Sequence, residues 1–381
     1  MSQKTLPVVF MRGGTSKGLY FHRRDLPADR DAWDALFCGA MGSPDPYGRQ
    51  LDGMGGGISS LSKVMIVERS QRPSVDVDYT FGQVEVDRPR VDWKGNCGNL
   101  TSGIAPFAVD EGLVQTSGDE ASVTLYNTNT KKTVVSKFAL EDGKAKVTGD
   151  FALQGVGGLG ARIRLDFLEP GGAGTGKLLP TGNVVDRLTL ADGSTIESSI
   201  VDAANPVVFV RAAEVGVTGT ELPETLRANR ELLARLEAIR CAAAVAMGLA
   251  KDAQDATTRM MSIPKISMVT RPADAVLLDR STLKADGVDL VVRTISMGVP
   301  HNAVPLTGGM CAAVAANIDG TLVNQAAREG SLKHESLRIG HASGVLEVAA
   351  KVERDNAWYA RHATVFRTAR RLMKGEVYIP G

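Results

Sequence analysis

Apolar and polar residues alternate over short stretches along most of the chain, and the runs PVVF, KVMIVE, VDVDYTF, QVEVD, SVTLYN and KTVVSKF predict strands in the first half. RIRLDF, PVVFVRAAE, KISMVT, DLVVRTISM and GVLEVAAKVE continue the pattern. From about Pro223 to Lys251 the period changes. Leu and Ala recur there at helical spacing behind a proline, which predicts one long helix whose second half, apolar nearly all round, is buried on every side. Two shorter Ala/Val-rich segments follow GNCGNLTSG and PLTGGM, each after a run of strands and in opposite halves of the chain, so a duplicated unit of sheet on helix is expected.

A length of 381 residues exceeds one ordinary core, and the Gly/Pro-rich stretch from Pro170 to Asn183 is the natural break. The expected domains are residues 1–184, with the last strand free to return to the first domain, and 185–381. With 44 Lys plus Arg against 43 Asp plus Glu, no global field attracts nucleic acid or an acidic membrane surface. Cys38, Cys97, Cys241 and Cys311 lie far apart, without zinc-site pairs or a disulfide pattern, and fit a reducing cytoplasm. No apolar run is long enough for a bilayer. With no HExxH or other tight His/Asp/Glu cluster, no metal is expected.

Four glycine-rich segments could bring backbone amides to an anion: MRGGTSKG from Met11, DGMGGGISSLSK from Asp52, GNCGNLTSG from Gly95 and PLTGGMC from Pro305. Each alone reads equally as a turn needing glycine. GGAGTGKL from Gly171 imitates a P-loop, but Leu178 stands where a magnesium-binding Ser or Thr belongs, and Ile58 spoils a dinucleotide motif after Gly53. Lys63 ends the loop ISSLSK where the strand VMIVE begins. Burial in a closed site would pull its pKa toward that of a general base, whereas a bound polycarboxylate would push it back up. Cys97 sits at a helix entrance, where amides and dipole favour a thiolate; the alternative is a small buried hydrophobe. Cys311 has a weaker case within AAVAA packing. His301 and His341 occupy Gly-flanked turns and could each meet a carboxylate or merely hydrogen-bond locally.

Taken with GSPDPYGRQLDGMGG (42–56), SLSK (60–63), DYTFGQVEVD (78–87), VDWKGNCGNLT (91–101), LPTGN (179–183), GVTGTEL (216–222), RTISMG (293–298), RIGHASG (338–344) and RTARRLMKGEVYIP (367–380), these segments resemble the PrpF family over most of the chain. That family includes methylaconitate cis-trans isomerase, methylitaconate isomerase and oxalomesaconate tautomerase. The resemblance implies an α+β, diaminopimelate-epimerase-like fold: two similar domains, each a curled sheet around a central helix, with the active site in the cleft between them. It implies a cofactor-independent isomerase moving an allylic proton on a small unsaturated di- or tricarboxylate such as 2-methylaconitate.

On the same resemblance Lys63 and Cys97 are the catalytic candidates. The resemblance places Arg12, Thr15, Ser16 and Lys17 in a carboxylate-binding loop. The further substrate-binding candidates are Ser62, Asn96, Gly98, Asn99, Asn205, His301, Thr307, Gly308 and Gly309, with the amides of Gly98, Asn99, Gly308 and Gly309 as donors to the developing charge. PHNAVPLTGGMCAAVAA departs from the methylaconitate isomerases, so the second half of the pocket is less defined. Three alternatives stay open: oxalomesaconate tautomerase or methylitaconate delta-isomerase activity, a two-thiol amino-acid racemase using Cys97 and Cys311, and a non-catalytic carboxylate binder. A homodimer is left open as well.

Overall fold

The computed structural model describes residues 3–380 and divides into two compact units. One unit runs to Phe167 and resumes at Phe366; the other is Leu168–Val365. The break precedes the Gly/Pro-rich stretch and does not fall at 184, because that stretch is tied to the second unit's own strand. The Asp202 carboxylate accepts from the amides of Gly174 (2.8 Å) and Thr175 (2.7 Å) and from the Thr175 hydroxyl (2.8 Å). An internal carboxylate therefore takes the amides that a P-loop would offer to phosphate.

In the first unit β1 (Lys4–Gly13) pairs antiparallel with β2 (Ser16–His22) and with the C-terminal strand Ala369–Ile379. β2 runs parallel to β3 (Lys63–Arg69), which pairs antiparallel with β4 (Val77–Val84). The two runs VDVDYTF and QVEVD are thus one strand, ending at Val84. Beyond it come β5 (Val91–Asp92), β6 (Glu120–Asn127) and β7 (Thr133–Glu141).

Both faces of β2 are covered, as alternation dictates. Leu19 and Phe21 pack toward helix α1 (Trp33–Met41), with the Phe21 and Phe37 rings 5.3 Å apart. Tyr20 and His22 face the other way, onto Phe107, at 5.8 and 4.9 Å between centroids. Phe107 belongs to α3 (Ile104–Asp110), which follows the single turn α2 (Gly98–Thr101); six of its seven residues, Ile104 to Val109, are buried, as a helix enclosed by a sheet must be.

In the second unit the strand Asn205–Arg211 lies between Thr195–Ala203 (antiparallel) and Lys265–Thr270 (parallel), and Leu290–Ser296, Leu337–His341 and Gly344–Arg354 extend the sheet. Helix Leu306–Ala316, buried from Gly308 to its end, packs on this sheet. The long helix expected from Pro223 is two helices, Pro223–Ala228 and Arg230–Ala246. Asn229 divides them because its side chain accepts from the Leu232 amide (3.0 Å) and caps the second. That helix is not buried all round either: Ile239, Ala243 and Ala244 enter the core, while Val245 is 38% exposed. No helix among the described residues is long and apolar enough to cross a membrane.

Candidate functional site

Lys63 is the first residue of β3, and Gln83 stands opposite it on β4. The side chain is turned inward, with the residue only 8% exposed. Its Nζ lies 5.1 Å from the Phe81 ring centroid and donates to Gln83 Oε1. Burial lowers the Lys63 pKa from the ordinary ammonium value, and the neighbouring Cys97 acts in the opposite direction. Lys63 and Cys97 are thus within electrostatic reach of each other in one unit.

Cys97 is the N-cap of α2, its sulfur accepting from the Leu100 amide at 3.5 Å. Serine or asparagine usually fills such a position, and here a thiol does so, 4.0 Å from Ser16 Oγ. The helix turn is held from below by Tyr20, whose hydroxyl donates to the Leu100 carbonyl (2.6 Å). Asn96 Oδ1 accepts from Thr101 Oγ1 (3.2 Å) and Tyr79 Oη (3.4 Å), which turns its side chain inward. Asn99 Nδ2 donates to Thr15 Oγ1 (3.0 Å), while its Oδ1 accepts from Arg367 Nε (3.2 Å). Gly98 and Asn99 remain half-buried in the first turn, where amides have no intrahelical acceptor.

The β1–β2 turn explains why MRGGTSKG contains three glycines. A Cβ on Gly13 would lie 2.7 Å from the Asn99 carbonyl oxygen, one on Gly14 2.3 Å from Asn99 Oδ1, and one on Gly18 2.5 Å from the Lys63 carbonyl oxygen. These glycines bring the turn onto α2 and β3. The Gly14 amide is itself committed to the Thr368 carbonyl (2.9 Å).

Several expected residues do not join Lys63 and Cys97. Arg12 and Lys17 are cross-strand partners, one residue out of phase with Ser16, so they lie on the opposite face of the hairpin. There they line a cavity of about 380 Å³ with Arg370 and Thr368. Burial and then Arg370 lower the Arg12 pKa, and its guanidinium donates to the Gly14 and Thr368 carbonyls (both 2.9 Å). Ser62 is enclosed, its hydroxyl donating to Gln50 Oε1 (2.6 Å) and the Ile58 carbonyl (2.9 Å); it ties the Gly-rich loop together.

Asn205, His301, Thr307, Gly308 and Gly309 belong to the second unit. Asn205 opens its strand, and Thr307 and Gly308 lie in the first turn of helix Leu306–Ala316. Gly309 does not offer a free amide, since its N–H donates to the Pro305 carbonyl (2.8 Å), and its missing Cβ makes room for Leu346. His301 lies at the surface, and the packing around its ring and then Lys265 lower its pKa. His341 is buried, its pKa lowered to about 4, and its Nδ1 accepts from the Ser343 amide (3.1 Å); it is a neutral turn residue. Cys311 is fully enclosed, donates to the Val201 carbonyl (3.3 Å), and is pushed far above the ordinary thiol range by burial.

Two residues of the first unit had no role assigned from the sequence. Arg367, 7% exposed, has its pKa lowered to about 10 by burial, with Cys97 opposing, and it orients Asn99. Gln83 is the other. The pattern gives no warning of either beyond a polar residue at an inward-facing strand position.

The sequence model described as PrpF protein matches residues 3–380. The chain belongs to the PrpF family. Among its relatives are a 3-methylitaconate isomerase of Eubacterium barkeri, 43% identical with 99% of this chain and 98% of the relative covered, and a 2-methyl-aconitate isomerase of Cupriavidus necator, 42% identical over 100% and 98%. A crystal structure of methylitaconate-delta-isomerase superposes with a TM-score of 0.93 at 43% identity, covering 100% of this chain and 96% of that one. The α+β, diaminopimelate-epimerase-like class that the PrpF resemblance implies is the fold of this chain.

Proposed function

We propose that this PrpF-family chain is an isomerase that moves a proton across the allylic system of a small unsaturated di- or tricarboxylic acid, with Lys63 as the base and Cys97 beside it. The observation that carries the reading is a lysine buried against an uncharged partner, its pKa lowered, next to the thiol that caps α2. A neutral Lys63 amine takes the proton from carbon adjacent to the double bond. The C–H bond breaks, an N–H bond forms, and the electron pair spreads into the conjugated carboxylate. Return of a proton from the ammonium to the same carbon after rotation gives cis-trans isomerisation. Return to the other end of the allyl unit shifts the double bond. Thr15, Ser16, Gly98 and Asn99 are the candidates to meet the acid's oxygens in this unit, and each unit is read as an epimerase-like domain. The substrate is the one small partner proposed, in a cytoplasmic enzyme.

The two-thiol racemase reading is disfavoured by Cys311, whose enclosed, hydrogen-bonded thiol is a poor proton carrier. The test is incubation in D₂O with methylaconitate, methylitaconate and oxalomesaconate, followed by proton NMR. Deuterium appears at an allylic carbon of at least one acid. A chain that binds these acids without exchange is a carboxylate binder, and exchange into an amino acid instead makes it a racemase.

A further inference from the structure

Gln83 faces Lys63 across the β3–β4 register, and both ends of its carboxamide are committed. The Nε2 donates to the carbonyls of Ser62 (2.9 Å), Ser59 (3.2 Å) and Val84 (3.3 Å). An amide nitrogen surrounded by acceptors cannot exchange places with its oxygen, because the oxygen would then face three carbonyls. Oε1 is therefore the atom turned to Lys63, and it accepts from Nζ. The same side chain thus holds the loop that leads into Lys63 and the amine itself.

The chemistry of the partner matters as much as its position. A carboxylate at position 83 would hold Lys63 as an ammonium ion, and a hydrocarbon would leave its hydrogens without an acceptor in a buried place. A carboxamide supplies the acceptor and no charge. Around Lys63, β4 contributes the uncharged Phe81 and Gln83, β2 contributes Gly18 against its backbone, and the entrance of α2 contributes Cys97, the titratable side chain that acts on it.

We propose that Gln83 is the positioning residue of this enzyme, aiming the Lys63 amine at the substrate through a hydrogen bond that adds no charge to it. The proposal rests on Lys63 being the base, and its test separates the two ideas. The protein is labelled with ¹⁵N-lysine and the Lys63 Nζ resonance, assigned by its absence in Lys63→Met, is titrated in wild type, Gln83→Glu and Gln83→Met. Glutamate moves the Lys63 midpoint to higher pH, lowering the neutral fraction near pH 7 about tenfold or more, and shifts the rising, low-pH limb of the kcat profile upward with it.

Methionine keeps the length, places no charge among the carbonyls, and does not move the midpoint upward; its kcat falls because the amine is no longer aimed. A Lys63 midpoint and a kcat profile unchanged in both variants overturn the proposal. So does loss of the fold in both, which would make Gln83 a framework residue. Wild-type turnover by Lys63→Met instead removes the base itself, whatever Gln83 does.

Discussion

Gly18→Ala ties the packing of the glycine motif to the position of Lys63. The new methyl would stand 2.5 Å from the Lys63 carbonyl oxygen and 2.9 Å from Leu100 Cδ1. Leucine can change rotamer, but the carbonyl is main chain of β3, whose Lys63 is held opposite Gln83, and can move only if β3 moves with it. Overpacking of this kind costs about 1–3 kcal/mol. In a unit of this size that corresponds to a fall in Tm of about 2–4 °C for each kcal/mol.

Gly375→Ala is the matched control, since Gly375 lies in the C-terminal strand with nothing within 4 Å of its Cβ position. There alanine should stabilise by about 0.5–1 kcal/mol by restricting the unfolded chain. Both variants are measured by urea unfolding, with turnover measured in the same preparations. Gly18→Ala loses stability and activity together because Lys63 is displaced, while Gly375→Ala loses neither. A Gly18→Ala protein as stable and active as wild type would refute the close approach of the two strands.

Glu111 caps the end of α3, and its carboxylate accepts from Arg371 (2.6 Å), Lys374 (2.9 Å) and His22 (3.3 Å), which together outweigh the opposing effect of burial and lower its pKa to about 2. Because the folded value lies below the ordinary one, its stabilisation is complete above about pH 4.5 and is lost as pH falls toward 2. Acid unfolding of Glu111→Gln should therefore lack that part of the pH dependence, and at neutral pH the variant should be about 1–2 kcal/mol less stable, since Arg371 and Lys374 both reach solvent when the carboxylate is gone. Cys311→Ala should keep wild-type kcat, read in the allylic exchange assay; loss of all turnover would return that thiol to the mechanism. Arg367→Lys removes the bond to Asn99 Oδ1 and frees the Thr15 contact, so KM should rise about tenfold with a smaller change in kcat, measured by initial rates.

The places of Lys63 at the start of β3 and of Cys97 at the entrance of α2 were legible because in each a small-residue loop meets a regular element, a local feature that a sequence displays directly. The strand β2 was not, since GGTSKG reads as a flexible loop although its last glycine is there to pass the Lys63 backbone. Parity was hidden as well. Ser16 and Lys17 are neighbours in sequence and lie on opposite faces in space, and only the pairing of Arg12 with Lys17 reveals which faces Cys97. Gln83 and Arg367 depend on partners 20 and 268 residues away, so neither role can be read from a local pattern. The break at Asn229 was the subtler case, a residue able to cap one helix only by ending another.

The most direct measurement is deuterium wash-in by Lys63→Met, made in D₂O with whichever unsaturated acid the wild-type chain exchanges. Removing the amine should leave the protein folded and the allylic protons untouched over many wild-type turnover times. Exchange at the wild-type rate would mean that another group abstracts the proton.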